Sequence, residues 1–80
     1  MSLFHEMGER RYKMELKALG NRIKDIRTRK NLIQLDLEVS SGINRTDISK
    51  IENGIKNIEF LTIVKIAEAL EVELYELFKK

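Results

Sequence analysis

A short stretch of hydrogen-bond donors, residues 44–53, is the part of the sequence best suited to chemistry. Its outward side chains carry donor groups and a methyl group, with no carboxylate among them: Arg45, Thr46, Ser49 and Lys50. Arginine and lysine can donate to guanine N7 and O6, and a threonine methyl can meet a thymine methyl. Ile48 and Ile51, three residues apart, form a narrow apolar stripe that would face a core. The stretch therefore predicts a helix that contacts the edges of DNA bases.

Both ends of this predicted helix are marked by residue type. Asn44 is a good N-cap, Asp47 stands three residues later, and Gly54 can stop the helix in a left-handed conformation. A helix of about ten residues is about 15 Å long and fits lengthwise in the major groove. A second short helix, predicted from Gln34 to about Ser40, precedes it across a tight turn at residues 41–43. The order helix, glycine turn, capped helix is that of a helix-turn-helix.

Apolar periodicity predicts three further helices that would position these two. Helix 1 is predicted from Arg11 to Arg29 or Lys30, helix 4 from Glu59 to Leu70, and helix 5 from Val72 to Phe78. Residues at core spacing in helices 1 and 4 are Tyr12, Leu16, Leu19, Ile23, Ile26, Phe60, Ile63, Ile66, Ala67 and Leu70. The predicted fold class is all-α.

The length and composition indicate one small helical domain. The chain has 80 residues, no proline and 42% hydrophobic residues, which favours a helical globule over disorder. Residues 14–80 are predicted to form the helix-turn-helix domain. Residues 1–13 are an N-terminal extension or the start of helix 1, and the sequence leaves open whether they are ordered.

Charge is divided unevenly along the chain. The net charge of +2 is made of +5 in residues 1–33, −1 in residues 34–58 and −2 in residues 59–80. One part of the domain is thus basic and another acidic. This polarity suits contact with an anionic partner on one side and with a protein on the other.

Several classes of function are disfavoured by residue content. There is no cysteine, and His5 is the single histidine, so thiolate and multi-histidine metal sites are not possible. No nucleophile is paired with a base, so we expect neither enzymatic activity nor a cofactor, and no small-molecule ligand is indicated. No apolar run approaches the roughly 18 residues of a membrane span. We expect a cytoplasmic protein that does not bind membranes.

The sequence from residue 34 resembles the phage repressor/Cro (Xre-type) helix-turn-helix family. The residues that carry the likeness are Gln34, Leu37, Ser41-Gly42-Ile43, Arg45, Ile48-Ser49, Ile51-Glu52-Asn53-Gly54 and Ile66-Ala67, Ala69-Leu70, Val72. The resemblance covers about residues 19–78. It implies a five-helix lambda-repressor-like domain whose dimers bind pseudo-palindromic operators in double-stranded DNA and repress transcription or, in restriction-modification controllers, also activate it. Three roles stay open: an autoregulating restriction controller, a phage or plasmid repressor, and the antitoxin or regulator half of a toxin-antitoxin pair.

The resemblance also implies roles for individual residues. Base contacts are expected from Asn44, Arg45, Thr46, Ser49 and Lys50, although Ser49 could instead bond its own backbone. Phosphate contacts are expected from Gln34, Asn53 and Lys56, and Gln34 would also brace helix 3. Arg27 and Glu52 match a structural ion pair between helices 1 and 3. Arg27 is then fold support, which leaves Arg22 and Lys24 as the phosphate contacts from helix 1.

An apolar surface on helices 4 and 5 is a predicted interface. Its residues are Leu61, Leu74, Tyr75 and Phe78, with interface and ordinary surface equally open for Tyr75. A homodimer is the first expectation. The alternative is a protein-interaction module, such as the antitoxin half of a toxin-antitoxin pair, and the protein partner would be a toxin or RNA polymerase.

Four positions depart from the pattern of the family. Ile33 replaces a Ser/Thr cap, Glu38 replaces a small residue, Ile58 replaces a proline, and Glu71 replaces a glycine. A left-handed conformation at Glu71 would cost about 1 kcal/mol. Because a carboxylate cannot be buried without a partner, Glu38 should reach solvent or pair with a base.

Overall fold

The computed structural model describes residues 3–79, and the side chains of residues 8–79. The elements are α1 (Leu3–Arg29), α2 (Gln34–Ser41), α3 (Arg45–Glu52), α4 (Phe60–Leu70) and a C-terminal 3₁₀ helix (Leu74–Phe78). No residue in this described range lies in a β-strand. The predicted all-α class is confirmed, with the difference that the fifth helix is a single 3₁₀ segment.

The first helix is longer than its apolar stripe predicts. α1 spans 27 residues and begins at Leu3 rather than at Arg11, which makes it about 40 Å long. Residues 8–15 are all exposed. The predicted domain boundary after residue 13 falls inside this helix and stays a prediction. Met1 and Ser2 lie outside the described residues.

The core is a single cluster to which every element contributes. Its buried members are Leu19, Ile23, Ile26, Leu37, Ile48, Ile51, Ile63, Ile66, Ala67, Leu70 and Leu77. Two of the residues predicted at core spacing are exposed instead: Tyr12 is 46% exposed and Phe60 is 64% exposed. Both lie near the start of their apolar stripes. Periodicity identifies the face of a helix but not how far along that face the neighbouring helices reach.

Four turns use a left-handed residue to end a helix. The φ angles are 60° at Asn31, 77° at Gly42, 71° at Gly54 and 56° at Glu71. After three of them the next amide closes the helix end on a carbonyl five residues back: Leu32 on Arg27, Ile55 on Lys50 and Val72 on Ala67, at 3.0–3.1 Å. Glu71 stands where the family has a glycine, and it adopts the left-handed conformation expected at that position. This conformation is strained for a residue with a side chain.

Close packing of α1 against α3 depends on two glycines. A Cβ atom at Gly20 would lie 2.3 Å from the carbonyl oxygen of Ile51 and 2.7 Å from that of Glu52. A Cβ atom at Gly54 would lie 2.7 Å from the Cα atom of Lys17. Since backbone cannot move aside as a flexible side chain can, α1 crosses the end of α3 only because both positions lack a side chain.

Two of the departures from the family pattern are accommodated locally. The backbone N–H of Ile33 donates to Asp36 Oδ2 at 2.8 Å, so a carboxylate within the helix supports the start of α2. Glu38 is half-buried, and no buried side-chain polar atom among the described residues lacks a hydrogen-bond partner. The carboxylate of Glu38 is therefore not left buried and unpaired.

Candidate nucleic-acid interface

Local hydrogen bonds fix the turn between α2 and α3. The turn consists of Gly42, Ile43 and Asn44. Ser41 Oγ accepts from the backbone N–H of Ile43 at 3.1 Å, and Asn44 Oδ1 accepts from the backbone N–H of Asp47 at 2.8 Å. The predicted N-cap is thus formed. These bonds set the angle at which α3 leaves the turn.

A buried ion pair holds α3 against α1 from behind. Arg27 Nε donates to Glu52 Oε2 at 2.7 Å and Arg27 Nη2 donates to Glu52 Oε1 at 3.0 Å. Arg27 Nη1 donates to the carbonyl oxygen of Leu32 at 2.7 Å, and Gln34 Nε2 donates to Glu52 Oε1 at 3.1 Å. We call Arg27, Gln34 and Glu52 the buried polar cluster. It joins α1, the start of α2 and the end of α3.

The charge of Arg27 is secured by its surroundings. Arg27 and Glu52 are 7% and 3% exposed. The hydrogen bond to Glu52, helped by the attraction between the opposite charges, raises the pKa of Arg27 above its ordinary value although burial opposes this. Because folding raises the pKa of Arg27, the stability gained from its charge is fully present at every pH below the ordinary pKa of arginine. It is therefore constant over the whole physiological pH range.

The outward face of α3 carries two exposed cations. Arg45, Thr46 and Lys50 are exposed and Ser49 is half-buried. Within the described part of the chain, neither Arg45 nor Lys50 forms an ion pair. We call Arg45, Thr46, Ser49 and Lys50 the reading face. An exposed, unpaired guanidinium and ammonium on a rigid helix are free to donate hydrogen bonds to an anionic or acceptor-rich surface.

Asn44 is less available than the resemblance implied. Its Oδ1 caps α3, and its Nδ2 donates to Asp47 Oδ2 at 3.2 Å. Only the second N–H of the amide and one lone pair remain. The structure thus places Asn44 at the edge of the reading face, mainly as a cap.

The predicted phosphate contacts differ in their surroundings. Asn53 and Lys24 are exposed, and Lys56 is half-buried, with its Nζ 3.6 Å from Asp47 Oδ1. Arg22, in contrast, donates from Nε to the carbonyl oxygen of Glu76 at 2.8 Å. Its guanidinium therefore joins α1 to the C-terminal 3₁₀ helix. The predicted phosphate contact of Arg22 stays a prediction, and this bond leaves its guanidinium less free than the ammonium of Lys24.

Sequence reasoning missed two lysines that lie beside the end of α3. Lys13 and Lys17 line a surface depression of about 450 Å³, whose opposite wall is formed by residues 53–55 and 57 of the loop after α3. This loop directly follows the reading face and includes Asn53 and Lys56. The signal that would have found the lysines is their spacing of four residues, which places both on one face of α1.

The predicted apolar interface is exposed apart from one residue. Leu61, Tyr75 and Phe78 are exposed, and Phe60 joins them at the start of α4. Leu74 is only partly exposed and packs against the core. An apolar groove of about 430 Å³, lined by Leu16, Ile58, Ile63, Leu77 and Phe78 among others, adjoins this surface.

The described residues contain neither a candidate metal site nor a candidate membrane-spanning helix. No group of three or more His, Asp or Glu side chains is placed to hold a metal ion. None of the described helices combines the length and the apolar character that crossing a bilayer requires.

The arrangement of α2, the turn and α3 is that of a helix-turn-helix, a class of DNA-binding domain. The family model for HTH_3, a helix-turn-helix family, matches residues 23–77. The chain belongs to this family, which is a family of transcription regulators and not of enzymes.

Several relatives are restriction-modification controllers. The chain is 37% identical over 60 residues to control protein C.MunI of a Mycoplasma species, covering 74% of this chain and 81% of that protein. It is similar to the crystal structure of the controller protein C.AhdI from Aeromonas hydrophila, with a TM-score of 0.79 and 37% identity over 81% of this chain and 98% of that one. The controller C.Esp1396I, solved as a tetramer on its natural 35 base-pair operator, has a TM-score of 0.70 and 32% identity over 80% of this chain and 95% of its own.

Proposed function

We propose that this protein is a homodimeric transcription regulator of the restriction-modification controller type, which binds a pseudo-palindromic operator. The observation that carries the proposal is the reading face, where exposed Arg45 and Lys50 form no ion pair with any described residue and stand on a helix that the buried polar cluster fixes. The likeness to C.MunI, C.AhdI and C.Esp1396I favours the controller role over that of a phage or plasmid repressor or an antitoxin.

Each group has a defined task in the proposed complex. Arg45 and Lys50 donate to guanine N7 and O6, and Thr46 contacts a thymine methyl group or a phosphate. Ser49 and the remaining N–H of the Asn44 amide supply further hydrogen bonds to base edges. Gln34, Lys24, Asn53 and Lys56 bind phosphates, which sets the register of α3 in the groove without reading sequence.

The dimer gives the operator its symmetry. Two copies that meet through Leu61, Tyr75 and Phe78 would place their reading faces about 34 Å apart, so the half-sites would be about ten base pairs apart. The exposed, apolar character of these three side chains supports this interface. RNA polymerase would be the second protein partner of a regulator that also activates transcription.

Selection of bound duplexes from a random DNA library at about 0.15 M salt tests the proposal under physiological screening. We expect a two-fold-symmetric motif, and its position beside restriction and modification genes would separate the controller role from the other two. If no motif is enriched by the folded protein, the proposal fails and the protein-interaction module is favoured.

Two variants locate the binding on α3. Arg45→Ala and Lys50→Ala should each weaken binding to the selected operator by about 1–3 kcal/mol, roughly 5- to 150-fold. Lys65→Ala, which removes an exposed cation from α4, is the matched control and should leave the affinity nearly unchanged. Equal losses in all three variants would show a general charge effect and would contradict base reading by α3.

A further inference from the structure

A basic stripe on α1 lies N-terminal to the helix-turn-helix. Arg10, Lys13 and Lys17 are spaced three and four residues apart, so they share one face of the helix, and all three are exposed. They precede the stretch matched by the family model, which begins at residue 23. We call these three residues the α1 basic stripe.

The stripe continues the proposed DNA-binding surface. Lys13 and Lys17 face residues 53–55 and 57 of the loop after α3 across the surface depression, and the backbone of Lys17 lies so close to Gly54 that a Cβ atom there would be 2.7 Å from the Lys17 Cα atom. This loop begins one residue after the last turn of α3 and holds Asn53 and Lys56. The position of Lys17 is therefore fixed by packing, next to residues that we propose to bind phosphate.

Of the four cations at residues 10–17, one is in an ion pair among the described residues. This ion pair joins Arg11 to Glu15, at 3.8 Å, and is largely exposed. No ion pair is described for Arg10, Lys13 or Lys17. Cations that remain unpaired beside a phosphate-binding loop match a polyanion and not an apolar or basic partner.

We infer that the α1 basic stripe binds the phosphate backbone of operator DNA just outside the symmetric motif. The stripe is about 10 Å long, because Lys17 follows Arg10 by seven positions and each adds about 1.5 Å of helix. At about 3.4 Å per base pair along one strand, it reaches phosphates over about three base pairs. The inference rests on the proposed function, since it extends the same interface along the same duplex.

Two duplexes and two variants test the inference. One duplex ends at the edges of the selected motif, and the other continues for about five base pairs of arbitrary sequence on each side, more than the stripe would span. The test variant is Lys13→Gln with Lys17→Gln. The control is Arg11→Gln with Lys65→Gln, which removes the same charge from another face of α1 and from α4. Glutamine is a good helix former, so α1 should persist in both variants.

The wild-type protein should bind the long duplex more tightly than the short one, and the test variant should lose this difference while the control keeps it. The slope of log affinity against log salt on the long duplex should become shallower by about 0.9 for each lost phosphate contact, up to about 3.6 for the four lysines of a dimer. On the short duplex the slope should not change.

The outcomes separate this inference from the proposed function. Equal wild-type affinity for both duplexes, or equal slopes in the test and control variants, would overturn the role of the stripe and leave operator binding by α3 intact. Failure of the wild type to bind either duplex would overturn the proposed function, and the stripe with it.

Discussion

Charged side chains differ between the two sides of α3, the side that faces the core (behind the helix) and the exposed side (in front of it). Behind the helix, the two charges of Arg27 and Glu52 are almost fully buried and joined by two hydrogen bonds, and Gln34 adds a third bond to Glu52. In front, Arg45 and Lys50 are exposed and have no ion pair in the described structure. One set of charges fixes a helix and the other is left free for a partner.

The difference follows from what water does to a charge. A buried ion keeps its charge only when its hydrogen bonds are made within the protein, and the loss of one partner is then costly. Removing an exposed cation costs the protein little stability, because water already solvates the charge. Stability should therefore respond to the buried polar cluster, and DNA affinity to the reading face.

Removal of the buried carboxylate should have the largest effect. Glu52→Ala leaves the guanidinium of Arg27 buried without its partner and should lower the free energy of unfolding by about 3–5 kcal/mol. Urea unfolding followed by circular dichroism measures this. Glu68→Ala, at an exposed glutamate of α4, should stay within about 0.5 kcal/mol of the wild type. Equal effects of the two variants would mean that the buried polar cluster does not hold α3.

A methyl group at the crossing of α1 and α3 should have the next largest effect. Gly20→Ala places a Cβ atom 2.3 Å from the carbonyl oxygen of Ile51, so the helices must separate, at a cost of about 1–3 kcal/mol. Gly8→Ala is the control on the same helix, because nothing lies within 4 Å of its Cβ position. It should leave stability unchanged or raise it by up to about 1 kcal/mol. Thermal unfolding measures the stability of both variants. If both substitutions shifted the unfolding temperature in the same direction, the close packing at Gly20 would not be what sets the stability.

Gln34 has a place in both regions: it bonds to Glu52 in the buried polar cluster, and we propose that it also binds a phosphate. Gln34→Ala removes the bond to Glu52 and should cost about 1–2 kcal/mol of stability. If its amide binds a phosphate, the substitution should also weaken operator binding at an unchanged salt slope, because a neutral amide releases no counter-ion. Unfolding and binding measured on the same preparation distinguish the two roles. A stability loss with unchanged operator affinity would confine Gln34 to the buried polar cluster.

Glu71 lies in neither region, and its replacement should have the smallest effect on stability. Its φ of 56° is costly for any residue with a side chain, so Glu71→Gly should raise stability by about 0.5–1 kcal/mol without changing DNA affinity. Glu71→Ala keeps the strained backbone and removes only the carboxylate, so it should give no such gain. A gain in the alanine variant would assign the effect to charge instead of backbone conformation.

Local patterns were enough to predict the elements that carry the site. The cap at Asn44, the left-handed Gly54 and the stripe of Ile48 and Ile51 specify a short helix with one face outward, because these signals act within a few residues of one another. The all-α class and the helix-turn-helix could be predicted from such signals. The roles of Gln34, Arg27 and Glu52 came from the resemblance to a family.

Only the tertiary structure decided which charges are free and which are engaged. Arg22 and Lys17 are both basic residues of α1, yet Arg22 bonds to the C-terminal 3₁₀ helix and Lys17 lies beside the loop after α3. The exposure of Tyr12 and Phe60 and the need for Gly20 were decided in the same way. Each depends on where a distant segment packs, and helical periodicity carries no information about that distance.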